Sequence, residues 1–186
     1  MKAIILASGS PRRSEILTHM GVAFEKQAAN VDEHCDLGAW EAVAELSRRK
    51  ALAVAAHFPG RVVLAADTLV ALENRPLGKP EDEEDACRML ERLSGREHQV
   101  YTGVCVVDAQ GRVMQAVDAS NVCFRAITED EIRAYVATGE PMDKAGAYAV
   151  QGFFARYIEG LRGSYANVMG LPVHLVYRKL KELDAI

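Results

Sequence analysis

Leu6-Ala-Ser-Gly-Ser-Pro-Arg-Arg13 is the stretch whose reading sets the fold. The apolar segment that runs into it, residues 2–7, has the make-up of a short buried strand. Ser10 is a favoured N-cap, Pro11 suits the first helical position, and an amphipathic run continues to Met20. Strand, tight turn and helix therefore follow one another, and Arg12 and Arg13 fall in the helix's first turn. The macrodipole is positive there and the free N–H groups seek an acceptor, so each guanidinium costs roughly 0.3–1 kcal/mol unless an anion answers it. A bound phosphate turns that penalty into attraction. Arginines turned out into solvent would satisfy the same letters.

Beyond this stretch, strand-like and helix-like segments keep alternating, which predicts a mixed α/β layer structure. A strand is expected at residues 22–28 and a helix at 39–57, with Pro59-Gly60 ending it. A long buried strand follows at 61–72, then a polar loop at 73–80. Residues 81–93 open with five acidic side chains in succession, which favour a helix N-terminus. Two β-rich runs at 98–108 and 113–126 flank Asp108-Ala-Gln-Gly111, a hairpin signal. Thr128 with Glu131 forms a capping box for a helix that Gly139 stops. Gly, Pro and Tyr crowd residues 139–170 with little periodicity, a composition common in loops that carry function. A last amphipathic helix is expected at 171–183, and no flexible linker divides the chain. The expectation is a single domain over 1–186, with any two lobes closely packed.

With 186 residues, 49% of them hydrophobic, and only six prolines, the chain suits a well-packed globular protein. A net charge of −4 gives no electrostatic footprint for duplex nucleic acid or an anionic membrane. Any phosphate site must be a local cationic pocket. Cys35, Cys87, Cys105 and Cys123 are widely spread, with no C-x-x-C pair and no His at metal-ligand spacing. Only Lys2 precedes an apolar run too short for a signal-peptide core or a membrane span. With the unpaired cysteines this predicts a cytoplasmic location.

Asp67 stands out on chemical grounds, because it interrupts Val62-Val-Leu-Ala-Ala66 and Leu69-Val-Ala-Leu72. Burying its charge unpaired would cost several kcal/mol, so a cation, a metal ion or a shifted pKa must resolve it. A structural Asp bonded to backbone N–H groups is the competing account. Asp32 and Glu33 lie in a polar loop; Glu33 gains meaning only beside Asp67, where two carboxylates plus phosphate oxygens would satisfy Mg²⁺ or Mn²⁺. Lys50, Lys79 and Lys144 each read as surface lysines taken singly, yet converging with Arg12 and Arg13 they would neutralise a triphosphate. Ser8 and Ser10 read as cap or phosphate contacts. His98 and His174 have no evident catalytic partner, and the P-loop, nucleophile-elbow and zinc-protease motifs are all missing.

Taken together, Leu6–Arg13, Ala66-Asp-Thr68, Gly78-Lys-Pro80, Ser94-Gly95 with His98, Thr102-Gly-Val104, Gly139-Glu-Pro141, Asp143-Lys-Ala-Gly-Ala-Tyr148, Gln151-Gly152, Gly163-Ser-Tyr165 and Gly170-Leu-Pro172 resemble, in order, the Maf family of nucleoside triphosphate pyrophosphatases. The resemblance implies an inosine-triphosphatase-like α/β fold, a mixed sheet bent around a long cleft between two lobes, often as a homodimer. It implies water attack on the α-phosphorus of a nucleoside triphosphate, with a divalent metal required. By position it makes Asp67 the general base and an acidic metal ligand with Glu33. It makes Ser8, Arg12, Arg13, Lys50 and Lys79 the contacts to substrate and phosphate. Arg12, Thr68 and Gln151 match the subfamily acting on dTTP and UTP, with CTP or modified pyrimidine nucleotides as further candidates. The 7-methyl-GTP subfamily carries a carboxylate where Gln151 stands. A neutral amide both donates and accepts, as the O4/N3–H edge of uracil or thymine requires. A nucleotidyltransferase and a non-catalytic nucleotide-binding regulator of septum formation are the competing readings.

Overall fold

A computed structural model describes residues 3–186. Among these, β1 (Ile4–Leu6), α1 (Pro11–His19), β2 (Phe24–Lys26), α2 (Ala39–Ala55), β3 (Val63–Leu72), β4 (Arg75–Leu77), α3 (Glu83–Leu93), β5 (Glu97–Val107), β6 (Val113–Phe124), α4 (Glu129–Val136), β7 (Ile158–Arg162), α5 (Tyr165–Val168) and α6 (Val173–Lys181) follow in order. Three short 3₁₀ turns lie between α4 and β7. The strands make one seven-stranded mixed sheet ordered β2-β1-β3-β5-β6-β7, with β4 also paired to β3. β2, β1 and β3 run parallel, and β5, β6 and β7 continue antiparallel.

The expected α/β order holds, with several boundaries moved for physical reasons. Of the strand expected at 2–7, Lys2 lies outside the described residues. The strand expected at 22–28 shortens to an edge strand of three residues. The acidic helix starts at Glu83 because Asp82 caps it, accepting the Asp85 N–H at 2.7 Å. The last helix starts at Val173, with Pro172 as its N-cap. The loop expected at 73–80 contains β4, for Glu73 and Asn74 adopt positive φ (52° and 62°) and turn the chain back on β3. Ser10 is the N-cap of α1 by position, yet its side chain makes no capping bond.

Alternation along β3 sorts the core. Val63 and Ala65 pack with α2, whose Ala51 and Val54 are buried there. Leu64 and Ala66 pack on the other face with Ile16 and Leu17 of α1 and Val176 and Leu180 of α6. Val70 and Leu72 reach a third cluster with α3 and α4, in which Leu90, Leu93 and Tyr135 are fully buried. Each such large side chain contributes about 1.5–3 kcal/mol on leaving water. Gly103 lets α2 lie down on the sheet: a Cβ there would stand 2.1 Å from the Val43 carbonyl oxygen. The Thr128–Glu131 capping box is present at the start of α4, and Gly139 leaves the helix at φ 72°.

One feature of the strand pairing leaves an opening in the sheet. β3 has β1 along one edge at Val63 and Leu64, and β4 along the same edge at Val70–Leu72. Between them, residues 65–69 have β5 on one side and, among the described residues, no strand on the other. The gap lies just past the carboxyl end of β1, the place where open α/β sheets take ligands.

Candidate active site

A cleft of about 800 Å³ opens at this gap. Ser8, Arg12, Arg13, Glu33, Lys50, Asp67, Thr68, Lys79 and Gln151, the residues singled out in the sequence, all line it. The turn after β1 supplies Ser8, the first turn of α1 supplies the two arginines, α2 supplies Lys50, and β3 supplies Asp67 and Thr68. Lys79 follows β4, and Gln151 comes from the wall after the second 3₁₀ turn.

Asp67 is only 7% exposed, as its place in an apolar strand requires. Its charge is answered by Lys50, whose Nζ stands 2.5 Å from Asp67 Oδ1 and 2.7 Å from Glu33 Oε1. The cation thus bridges a buried carboxylate and an exposed one. Burial pushes the Asp67 carboxyl above its ordinary range, with Lys50 and Arg13 opposing. The hydrogen bond from Lys50 holds Glu33 below its ordinary range. Two carboxylates so alike in partner and so different in burial give one proton acceptor of raised basicity and one anion that stays ionised.

Thr68, the next residue, points to the opposite face of β3 and meets Arg13. The Arg13 guanidinium donates to Gly170 O (2.8 Å), Thr68 Oγ1 (3.1 Å) and Ser8 Oγ (3.3 Å). These bonds use three of its five N–H groups and leave two for an anion. Burial pulls the group below the usual guanidinium range, while the Asp67 charge pulls the other way. The arginine suspected of snorkelling is therefore turned inward and braced.

The facing wall is made by the glycine-rich segment. Lys144 lines the cleft and donates to Asp143 Oδ1 (2.5 Å) and to Glu140 O (2.7 Å). Asp143, which lines the cleft with it, is held below the carboxylate range first by Lys144 and also by Arg12. Glu140 receives the Tyr135 hydroxyl at 3.2 Å, and its carboxylate lies 3.1 Å from where a Cβ of Gly152 would stand, so it packs against the turn that presents Gln151. His98 is fully buried, bonded to Tyr148 OH at 2.8 Å, with its pKa pushed down to about 4 by burial. His174 lies 3.8 Å from Asp118, and it is not among the residues lining the cleft.

Nothing in the letters marks Asp143 as a cleft residue, the Gly170 carbonyl as an arginine acceptor, or Thr102 and Asn167 as the groups behind Thr68. Asp143, Thr102 and Gly170 show in the sequence only as members of short motif fragments, and Asn167 belongs to none; the contacts depend on register between distant segments.

No cluster of three or more metal-binding side chains occurs among the described residues. Glu33 and Asp67 nevertheless converge on a single cationic point, the Lys50 ammonium. Two hard carboxylates, with the rest of the shell from phosphate and water, are what Mg²⁺ usually takes from a protein, so the donor set fits an ion that arrives with a polyphosphate.

Fold and cleft define a class: an α/β protein in which a gap in a mixed sheet gathers basic side chains around one buried carboxylate. A family model described as Maf-like protein matches residues 3–183, and the chain belongs to that family. The dTTP/UTP pyrophosphatase of Pelotomaculum thermopropionicum is 50% identical over 185 residues, covering 98% of this chain and 97% of that protein. The dTTP/UTP pyrophosphatase of Syntrophus aciditrophicus is 49% identical over 186 residues, covering 98% and 91%. Among solved structures, a nucleoside-triphosphatase / dITP/XTP pyrophosphatase from Mycobacterium abscessus overlaps with a TM-score of 0.48 at 17% identity, covering 99% of this chain and 97% of the other.

Proposed function

We propose that this protein is a nucleoside triphosphate pyrophosphatase that hydrolyses dTTP and UTP to the monophosphate and pyrophosphate. The observation that carries the reading is the buried Asp67, salt-bridged to Lys50 in a cleft that also holds Arg12, Arg13 and Lys79. The names of its relatives point the same way.

In this mechanism Asp67 takes a proton from water, and the resulting hydroxide attacks the α-phosphorus. The bond from that phosphorus to the bridging oxygen breaks, and pyrophosphate leaves with the bond's electron pair. A carboxylate whose basicity burial has raised is a better acceptor near neutral pH than a solvated one. Arg13, Lys79 and Arg12 meet the charge that grows on the leaving group, a stabilisation strongest where water is sparse. No covalent intermediate is needed, since positioning and charge neutralisation supply the acceleration. Glu33 and Asp67 would hold a divalent ion, Mg²⁺ or Mn²⁺, which when bound neutralises phosphate charge and lowers the pKa of water.

Gln151 faces the base. Its amide can donate to O4 and accept from N3–H of uracil or thymine, whereas a carboxylate suits the donors of guanine. The active form is read as a cytoplasmic homodimer, each chain one domain of two packed lobes. The free state of all four cysteines and the lack of any helix long and apolar enough to cross a membrane, among the described residues, accord with that location. Pyrophosphate release from UTP, dTTP, CTP and 7-methyl-GTP, each with Mg²⁺ or Mn²⁺ and no sugar-phosphate acceptor, tests the reading. Turnover of UTP and dTTP well above 7-methyl-GTP is expected; a preference for the methylated purine, or dependence on an acceptor, overturns it.

A further inference from the structure

We propose that Thr102, which does not line the cleft, is a positioning residue that aims the Arg13 guanidinium through Thr68. The inference deepens the pyrophosphatase reading and rests on it only for the nature of the anion.

Hydrogen bookkeeping gives the chain a direction. Thr102 is completely buried, and its hydroxyl donates to the Asn167 carbonyl at 2.9 Å. A threonine hydroxyl has one hydrogen, so toward Thr68, 2.9 Å away, Thr102 can only accept. Thr68 must therefore spend its own hydrogen on Thr102, and its oxygen is left as an acceptor for Arg13 Nη2 at 3.1 Å. The Asn167 carbonyl also receives the Gly170 N–H at 2.9 Å, and Gly170 O receives Arg13 Nε–H at 2.8 Å. Arg13, Thr68, Thr102, Asn167 and Gly170 thus close a ring in which every hydrogen has one place to go.

The ring is anchored and tight. Asn167 is fully buried and its amide nitrogen donates to Val100 O at 3.0 Å and Ser120 Oγ at 2.9 Å. Gly170 has φ 107°, and a Cβ there would lie 3.2 Å from Thr68 Oγ1 and 3.6 Å from Arg13 Nε. A guanidinium braced at two edges keeps its two remaining N–H groups aimed at one point, and a group fixed before binding loses less entropy when an anion arrives. Thr68, matched by resemblance to a base-selecting position, has no hydrogen left to read a base. Its role passes to the phosphate end.

Calorimetric binding of inorganic pyrophosphate tests this without depending on turnover. Thr102→Val, which removes the acceptor for Thr68, is expected to weaken pyrophosphate binding at least fivefold, and Thr102→Ser to stay within twofold of the parent. Thr68→Val keeps the Thr102–Asn167 bond and should weaken binding as much, so it decides the matter if Thr102→Val does not fold. In an Arg13→Lys background, Thr102→Val should add no further loss, because its effect runs through the guanidinium; a purely structural role would add. The ratio of UTP to CTP turnover should stay at the parent value in both valine variants. Parent-like pyrophosphate affinity in Thr102→Val or Thr68→Val, additive loss with Arg13→Lys, or a changed base ratio overturns the proposal. Absence of UTP hydrolysis by the parent protein would instead sink the pyrophosphatase reading, and the pyrophosphate measurements would still decide the role of Thr102.

Discussion

Asp67 and Thr68 are neighbours on one strand, yet their side chains enter different worlds. On the α2 face of β3 the interactions are ionic: Glu33 and Asp67 share the Lys50 ammonium. On the opposite face they are hydroxyls, an amide and backbone carbonyls, with Arg13 as the single charge they hold. Strand alternation puts the two systems back to back, and the gap between β1 and β4 lets both reach the same cleft. The difference separates two tasks. The ionic trio can change protonation at its carboxylates, so it suits proton transfer; the hydroxyls and carbonyls that hold Arg13 cannot, so they suit holding an anion still.

The largest expected effect comes from removing the titrating group. Asp67→Asn should lower kcat on UTP at least ~10²-fold, the usual range for a positioned general base, while pyrophosphate affinity remains near the parent value. Equal losses in both quantities would merge the two faces into one function.

Lys50→Met sharpens the same contrast. Leaving Asp67 buried without its cation should cost about 3–5 kcal/mol of stability, read by denaturant titration. With Lys50 no longer opposing burial, the acidic limb of the kcat profile should move to higher pH. An unmoved limb would mean that Asp67 does not set it.

Much of this site was legible in the letters, and the reasons differ by residue. Arg12 and Arg13 were legible because N-cap and proline preferences act locally and fix the helix start. Asp67 was legible because a charge within an apolar run demands an answer. The identity of that answer, Lys50, lies 17 positions away on another element, and nothing in its own surroundings separates it from a surface lysine. The roles of Thr102 and Asn167 were hidden for the same reason: the ring exists only because β3 and β5 pair Thr68 with Thr102. β4 was hidden because three residues of polar context read as loop, and its turn uses positive φ at Glu73, a residue that rarely signals one.

A smaller effect is expected at the base-facing wall. Gln151→Glu replaces a donor with an acceptor opposite O4, leaving an unmatched polar contact of about 1–3 kcal/mol, which corresponds to a loss of roughly fivefold to 150-fold in kcat/KM for UTP. The loss should be smaller for 7-methyl-GTP. Parallel losses on both substrates would remove Gln151 from base selection.

The smallest effect concerns the neutral face. His98 lies in its core, and its pKa falls from 6.5 in the unfolded chain to about 4 when folded. Protonation therefore favours unfolding: the contribution is intact above pH 6.5 and is lost as pH falls toward 4, at up to about 1.4 kcal/mol per pH unit. His98→Phe should flatten thermal stability across that window and leave UTP turnover at neutral pH within a few-fold of the parent. A parent-like slope in the variant would mean that another group titrates there.

Catalysis here turns on water, activated at Asp67, striking the α-phosphorus. Hydrolysis of UTP in ¹⁸O-labelled water with mass analysis of both products tests it directly. The label is predicted in the uridine monophosphate, with unlabelled pyrophosphate; label in pyrophosphate would contradict it.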